Sequence, residues 1–301
     1  MRRLPGIIVP LSVVVGLLAA CGDTSESSST TGVSTTLPDT VTVESTVPDT
    51  VPATTVPDTT VGPTLPAESV RVAAYFVRDE LLAVAGRDVS GWDGVPVMEA
   101  VLAGPTPEEA ARGLMTMIPE GTEVLGVDVQ GSEATVNLSS EFESGGGSLS
   151  MTMRVAQVVY TVSQLPDVDT VRFQIDGEPR TMIGGEGIMV DPASRESFTE
   201  GVLPNIFLGE PFDGDELTNP IVIAGMTNAF EATVNYQVLA ADGTLITEGY
   251  TTALCGTGCW GGFYAEIALP EGTVGPVTLK VFDYSEADGT TVLDLQQITL
   301  R

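Results

Sequence analysis

The most reactive side chains of this sequence are its three cysteines, Cys21, Cys255 and Cys259. Cys255 and Cys259 are separated by three residues, and two of these are the glycines Gly256 and Gly258. Such a pair can form a disulfide, a redox couple or part of a metal site. No second cysteine pair accompanies them, and the glycines permit the tight closure of a short disulfide loop. In an exported chain this spacing favours a structural disulfide.

Histidine is absent from the whole sequence, and Lys280 is its single lysine. This excludes Ser-His-Asp and Cys-His catalysis, histidine metal sites and the lysine of a P-loop. Lys280 lies in an alternating apolar run, 277–282, which predicts the solvent face of a strand. We therefore expect no cofactor and no enzymatic activity.

Two acidic patterns leave alternatives open. The run 213–216, Asp-Gly-Asp-Glu, offers hard oxygen ligands for calcium but lacks the EF-hand spacing. The pairs Glu141 with Glu143 and Asp128 with Glu133 are candidates for the two carboxylates of a glycan hydrolase. Nothing in the surrounding sequence distinguishes these acids from the rest of the 41 acidic residues.

An aromatic group follows the cysteine pair. Trp260 and Tyr264 are candidates for a face that stacks on a sugar or a peptide. Alternation along a strand predicts that Phe263 points inward and Tyr264 outward. The alternative for Trp260 is packing over the disulfide.

The amino terminus has the layout of an export signal. Arg2 and Arg3 precede an apolar run over residues 6–19, which is short for a membrane span. Small residues then lead into Cys21, in the sequence Leu18-Ala19-Ala20-Cys21. This segment resembles the lipobox of bacterial lipoproteins, which implies cleavage of a signal peptide (1–20), a lipid on Cys21, and location on the outer face of the cell membrane. An uncleaved anchor or an ordinary signal peptide are the alternatives.

The charge balance restricts the partners. With 12 basic and 41 acidic residues, the formal net charge is −29. Such a chain repels nucleic acid and anionic lipid headgroups. We therefore expect no nucleic-acid partner, and membrane contact only through the lipid on Cys21.

Residues 21–69 have the composition of a tether. This segment is rich in Ser, Thr, Pro, Asp and Val and repeats Pro-Asp-Thr after Leu37, Val47 and Val56. A chain of this kind does not bury enough apolar surface to offset its ordering entropy. We predict an extended, disordered spacer that lifts the folded part from the membrane.

Residues 70–187 show the pattern of an α+β domain. Apolar residues alternate over 70–76 as in a half-buried strand. Thr106-Pro107-Glu108-Glu109 is typical of a helix capping box. Apolar residues at helical spacing over 151–165 predict an amphipathic helix that Pro166 ends. The predicted order is β-β-α-α-β-β-α-β, with helices on a mostly antiparallel sheet.

Short motifs give this region a family resemblance. They are Tyr75-Phe76, Leu102-Ala103-Gly104-Pro105, Ile118-Pro119-Glu120-Gly121-Thr122, Val136-Asn137-Leu138-Ser139, Phe142, Val171-Arg172-Phe173 and Asp176-Gly177. Together they resemble the GerMN family of sporulation and germination proteins over about residues 70–180. The family often has aspartate at the position of Asn137. The resemblance implies an extracytoplasmic, non-enzymatic module of bacterial envelopes.

After a predicted linker, 188–204, the pattern becomes all-β. Residues 205–301 contain about seven short alternating runs at hairpin spacing, which predicts an immunoglobulin-like sandwich. The segments 219–225, 230–232 and 262–263 resemble the immunoglobulin-like domain of bacterial spore germination proteins.

The leading hypothesis is therefore a non-catalytic lipoprotein that binds or scaffolds an envelope protein or a cell-wall partner. A peptidoglycan-binding or carbohydrate-binding module that uses Trp260 and Tyr264 is the first alternative. An acid-pair glycan hydrolase is the second.

Overall fold

The computed structural model describes residues 69–185 and 187–301. The predicted signal peptide, the lipidation site Cys21 and the tether up to residue 68 lie outside the described residues. The described chain is an α+β region followed by a strand-rich sandwich, the fold class predicted from the sequence. None of its helices combines the length and the apolar character needed to cross a membrane.

A long hairpin opens the fold. β1 (Ser69–Arg78) and β2 (Leu81–Ser90) pair antiparallel along their whole length. Asp79 and Glu80 form the turn with φ values of 53° and 64°, the left-handed pair of a type I′ turn. Six consecutive residues, 72–77, are buried, so β1 is covered on both faces. The alternation had predicted a strand buried on one face.

Three helices follow from local signals. α1 (Gly94–Leu102) starts after Asp93, whose side chain accepts a hydrogen bond from the Val95 amide. α2 (Pro107–Ala111) has the predicted capping box, with Thr106 and Glu109 bonded reciprocally. α3 (Ser148–Val162) lies where a helix was predicted over 151–165, but it ends three residues earlier and is not amphipathic, because residues 153–162 are all buried and cover every face of the helix.

The main sheet of the α+β region is mixed. Its strands are β3 (Val124–Gln130), β4 (Glu133–Leu138), β5 (Thr170–Ile175) and β6 (Glu178–Arg180), in that spatial order, and a fifth, short strand at residues 193–194 also pairs with β5. β4 and β5 run parallel, and the other neighbours run antiparallel. The parallel pair follows from α3, because a helix between two strands returns the chain in the same direction.

The segment after this sheet is built from short elements. They are β7 (Met182–Ile183), β8 (Ile188–Met189), β9 (Ala193–Ser194) and a 3-10 helix (Glu196–Phe198). Val190, Ala193, Phe198, Val202 and Leu203 are buried in the core of the α+β region. Residues 188–204, predicted as a linker, thus supply part of that core.

The second region is a sandwich of seven strands, as the hairpin spacing predicted. They are β10 (Ile206–Glu210), β11 (Ile221–Thr227), β12 (Thr233–Ala240), β13 (Leu245–Thr252), β14 (Gly261–Ile267), β15 (Val277–Tyr284) and β16 (Val292–Leu300). One sheet has the order β10-β11-β14, and the other has the order β13-β12-β15-β16. Their inner faces enclose a separate apolar core.

The two regions share an apolar contact. Phe207 and Phe212 belong to the sandwich segment, yet both side chains are buried in the core of the α+β region. Burial of an aromatic side chain contributes about 1.5–3 kcal/mol. These two phenylalanines therefore attach the sandwich to the first region.

Candidate functional site

The acidic run 213–216 joins the two regions. Asp213 Oδ2 lies 2.7 Å from Arg112 Nη1, and Asp215 Oδ1 lies 2.6 Å from Arg71 Nη2. The second oxygen of each carboxylate accepts a hydrogen bond from a backbone amide. All four oxygens thus have protein partners. Within the described residues, no group of three or more acidic or cysteine side chains is arranged to hold a metal ion.

The candidate hydrolase acids have ordinary surface environments. Glu133 and Glu143 each pair with an arginine, and Asp128 accepts a hydrogen bond from a glutamine. A hydrogen bond from Ser139 lowers the pKa of the exposed Glu141. A general acid needs a raised pKa. The acid pairs therefore offer no support for glycan hydrolysis.

The cysteine pair closes a tight loop between β13 and β14. The structure joins Cys255 to Cys259, with their Cα atoms 5.8 Å apart, inside the usual range for a disulfide. A Cβ atom on Gly256 or Gly261 would collide with neighbouring backbone. Gly256 is thus required for the close packing of the loop, and Gly258 contributes its positive φ of 91° instead.

The two aromatic residues of the predicted binding face have different surroundings. Trp260 is half-buried, packs against the core of the α+β region, and donates a hydrogen bond from Nε1 to Glu200 over 3.0 Å. Tyr264 is 56% exposed, and its hydroxyl lies 2.7 Å from Glu266, which raises the pKa of the tyrosine. Phe263 is buried, as the alternation predicted. Only Tyr264 presents a largely free ring.

A cleft lies between the two regions, lined by residues of both. We call it the interdomain cleft; it has a volume of about 430 Å³. Its principal lining residues are Arg71, Tyr75, Trp92, Tyr160, Arg195 and Phe207. They come from β1, the segment before α1, α3, the segment before the 3-10 helix, and β10.

Packed aromatic rings form one wall of the interdomain cleft. The ring centroids of Tyr75 and Tyr160 are 5.3 Å apart, and those of Tyr75 and Phe207 are 6.0 Å apart in a stacked arrangement. Burial raises the pKa of both tyrosines, so their hydroxyl groups stay protonated at neutral pH. The wall is therefore uncharged at neutral pH.

Arg195 lies against this wall. Its guanidinium carbon is 5.2 Å from the ring centroid of Tyr160 and 5.8 Å from that of Tyr75, both within cation–π range. Its Nη2 donates to the Tyr160 carbonyl over 2.9 Å. Its Nε is buried and has no hydrogen-bond partner among the described residues. This arginine is thus held in place with part of its donor capacity unused.

Sequence reasoning missed the interdomain cleft because its residues are far apart in the chain. Tyr75 and Phe207 are separated by more than one hundred positions, and Arg195 lies in the segment predicted as a linker. The signal that could have indicated the cleft is the amino-acid composition of the chain, in which basic residues are few. An arginine is conspicuous in a chain with 12 basic residues and 41 acidic ones.

Two family models match separate parts of the chain. Residues 74–181 match the Germane model, described as sporulation and spore germination. Residues 205–290 match the Gmad2 model, described as the immunoglobulin-like domain of bacterial spore germination. These matches confirm the two resemblances and their order along the chain.

Solved structures show a distant likeness. A Clostridium perfringens protein classed provisionally as a lipoprotein is 21% identical, with a TM-score of 0.32, over 42% of this chain and 89% of that protein. The tandem GerMN domains of the Bacillus subtilis sporulation protein GerM are 17% identical, with a TM-score of 0.38, over 67% of this chain and 62% of that one. The first of those domains alone is 19% identical, with a TM-score of 0.36, over 42% of this chain and 98% of that domain. No curated protein matches the sequence.

Proposed function

We propose that this chain is a non-catalytic lipoprotein of the cell envelope, and the Germane match over 74–181 and the Gmad2 match over 205–290 support its assignment to envelope-type modules. It is anchored through a lipid on Cys21 at the outer face of the cell membrane. Its two folded regions bind or scaffold an envelope protein or a cell-wall partner.

The observation that carries this proposal is the position of Cys21. It follows Leu18-Ala19-Ala20 directly, where the apolar run ends and a polar, proline-rich segment begins. A signal peptidase site followed at once by cysteine gives the lipid its attachment point. The high negative charge disfavours electrostatic binding to anionic lipids as a substitute for this lipid.

A binding role fits the chemistry of the described residues better than catalysis does. The chain lacks histidine, and its acidic pairs lie in ordinary surface environments. Both matched models are described in terms of sporulation and germination rather than a reaction. Of the two residues predicted for a glycan-binding face, Tyr264 is the exposed one, since Trp260 is half-buried and donates a hydrogen bond to Glu200.

Affinity capture tests this proposal. The tagged full-length chain is expressed in the bacterium that encodes it, cross-linked in intact cells, and purified from solubilised membranes. We expect an envelope protein or peptidoglycan fragments to be enriched over a tagged lipoprotein signal peptide fused to an unrelated domain. Recovery of neither, from a chain that is membrane-bound and folded, would contradict the binding role.

A further inference from the structure

We infer that a groove between the edges of β2 and β16 binds an extended, apolar segment of a partner protein by β-strand addition. We call it the edge groove; residues 82–85 of β2 and 296–299 of β16 line its two sides. This inference rests on the proposed binding function and gives that function a docking site and a partner conformation. It is carried by the unpaired backbone groups of Val84 and Gln297.

The edge groove follows two sheet edges. Its main cavity, of about 190 Å³, is lined by four consecutive residues of each strand. Because successive side chains of a strand point to opposite faces, a cavity that contacts four in a row lies along the edge of the strand. A second cavity, of about 240 Å³, shares Leu82 and Gln297 with the first and extends the groove to Leu295. β16 is the last strand of its sheet, and β2 pairs with β1 alone.

The edge of β2 is unpaired at Val84. The Leu82 amide donates to the Val202 carbonyl over 2.8 Å, so the backbone groups of Leu82 point away from β1. In an antiparallel pair this direction recurs at every second residue, and the register of β1 and β2 has no shift. The amide and carbonyl of Val84 therefore point into the edge groove. Among the described residues, no hydrogen bond reaches either group.

The other edge of this hairpin is closed. The backbone amide and carbonyl of Ala73 on β1 both bond to the side chain of Gln164, over 2.9 and 2.7 Å. Those of Val77 bond to the backbone of Met115, each over 2.8 Å. The chain thus supplies partners along the edge of β1 and leaves the edge of β2 open at Val84.

The edge of β16 is unpaired at Gln297. The Thr299 amide donates to Asp213 Oδ1 over 2.8 Å, and the Thr299 carbonyl accepts from the Gly214 amide over 2.7 Å. The backbone groups of Thr299 therefore point away from β15. Gln297 lies two residues earlier with no register shift between them, so its groups point the same way. No hydrogen bond of the described residues reaches them.

The chain already adds an extended segment to this edge. Besides the Gly214 contact, the Arg301 amide donates to the Asp215 carbonyl over 2.9 Å, and the Leu217 amide donates to the Arg301 carbonyl over 2.7 Å. Residues 213–217 thus accompany β16 from Thr299 to its end. This pairing stops where the edge groove begins. A partner segment in the groove would continue it along the same edge.

The shape and chemistry of the edge groove select the occupant. Its lining includes buried apolar side chains, so the groove is recessed between the strands: Leu82, Ala83, Ala85, Leu208 and Phe212. A helix is about 10 Å wide and presents no free backbone groups to a strand edge. A second folded copy would have to bring its own sheet into this recess. A single extended segment with small apolar side chains fits, and its alternate residues face the two edges.

A defined peptide tests this inference. Acetyl-Ala-Val-Ala-Val-Ala-amide is titrated into the full-length protein, and amide hydrogen exchange is followed residue by residue by nuclear magnetic resonance. We expect saturable binding that slows exchange at Val84 and Gln297, because both amides gain acceptors. The analogue N-methylated at its central alanine keeps every side chain but loses one backbone donor. It should bind roughly tenfold more weakly.

A backbone variant of the protein provides the complementary test. Gln297→Pro removes the outward N–H group and leaves the pairing with β15 intact, since proline is tolerated on an edge strand where its nitrogen faces outward. It should weaken binding of the peptide by roughly tenfold. Gln297→Ala keeps the N–H group and is the matched control, which should bind like the parent. If Gln297→Pro unfolds, as circular dichroism would show, the comparison of the two peptides still decides.

Equal binding of the two peptides, unchanged exchange at Val84 and Gln297, or unchanged affinity in a folded Gln297→Pro protein would overturn the inference. Sedimentation of the protein alone tests the other occupant. A dimer that Gln297→Pro abolishes would assign the edge groove to a second copy and would also overturn the inference. Failure here with successful capture of an envelope partner would reject this docking site alone.

Discussion

Arg71 Nη2 in the first strand of the chain lies 2.6 Å from Oδ1 of Asp215 at the start of the sandwich. The same guanidinium reaches Asp88 on β2 through Nη1 over 3.0 Å. Arg71 therefore connects the two strands of the β1–β2 hairpin to each other and connects this hairpin to the sandwich. The acidic run that the sequence offered as a possible calcium loop is thus part of an interdomain contact.

Replacing Asp213 and Asp215 by asparagine should loosen this contact. Each pair is partly exposed, so we expect a loss of about 1 kcal/mol or less per pair at low salt, and less at high salt. Chemical denaturation at two salt concentrations measures it, with Glu271→Gln as the control. Thermal stabilisation of the parent by calcium would contradict this role for the two carboxylates.

Glu109 should make the stability of the α+β region depend on pH. Burial alone would raise the pKa of this carboxyl, but hydrogen bonds from Arg87 and Thr106 outweigh it and lower the pKa from 4.5. The Glu109 carboxylate therefore contributes fully to the free energy of unfolding above pH 4.5. This contribution is lost as the pH falls through the lowered pKa of the folded state. Glu109→Gln should cost roughly 1–2 kcal/mol at pH 7, as for hydrogen bonds to charged groups, and progressively less as the pH falls below 4.5.

Glu108→Gln is the matched control for this experiment. It lies on the same helix and is exposed. Denaturation curves for both variants between pH 3 and pH 7 give the comparison. A destabilisation of Glu109→Gln that stays constant across this range would show that the carboxylate charge is not responsible.

Arg154 should hold the glycine-rich turn before α3. It is 2% exposed, and its Nη1 donates to the carbonyls of Phe142 and Ser144 over 2.7 and 3.0 Å. Arg154→Met should cost roughly 3 kcal/mol, because buried carbonyl groups lose their donors. Calorimetry would detect this as a lower melting temperature, whereas Lys280→Met should melt like the parent. Equal melting temperatures would contradict the role of Arg154.

The bond between Cys255 and Cys259 has its own test. Under non-reducing conditions the intact protein should be lighter by two hydrogen atoms than after reduction. Replacing both cysteines by serine should reduce the free energy of unfolding by about 2 kcal/mol, the loop-closure value for so short a loop. A free-thiol count of two on residues 255 and 259 in protein isolated from the envelope would refute the disulfide.

Local patterns predicted local structure well. The capping box at Thr106 and a helix predicted over 151–165, found at 148–162, are each set by neighbouring residues. The seven strands of the sandwich followed from hairpin spacing.

Contacts between distant residues were not predictable in this way. Residues 72–77 of β1 are buried on both faces because helix α3 and Phe207, which lie far along the chain, pack against the strand. Gln157 is fully buried and bonds to the backbone of both Tyr75 and Met117, a role that no helical pattern reveals. Arg195 lies over the rings of Tyr75 and Tyr160, which belong to two other segments of the chain, and this contact exists only in the folded structure. These features depend on tertiary packing rather than on periodicity or capping.

We propose that Cys21 carries the lipid that anchors the protein. Cells that express the tagged chain are labelled with an alkyne-bearing fatty acid, and the purified protein is assayed for the label. We predict label on the parent and none on Cys21→Ser, while Cys255→Ser/Cys259→Ser keeps it. Equal label on the parent and on Cys21→Ser would contradict the account.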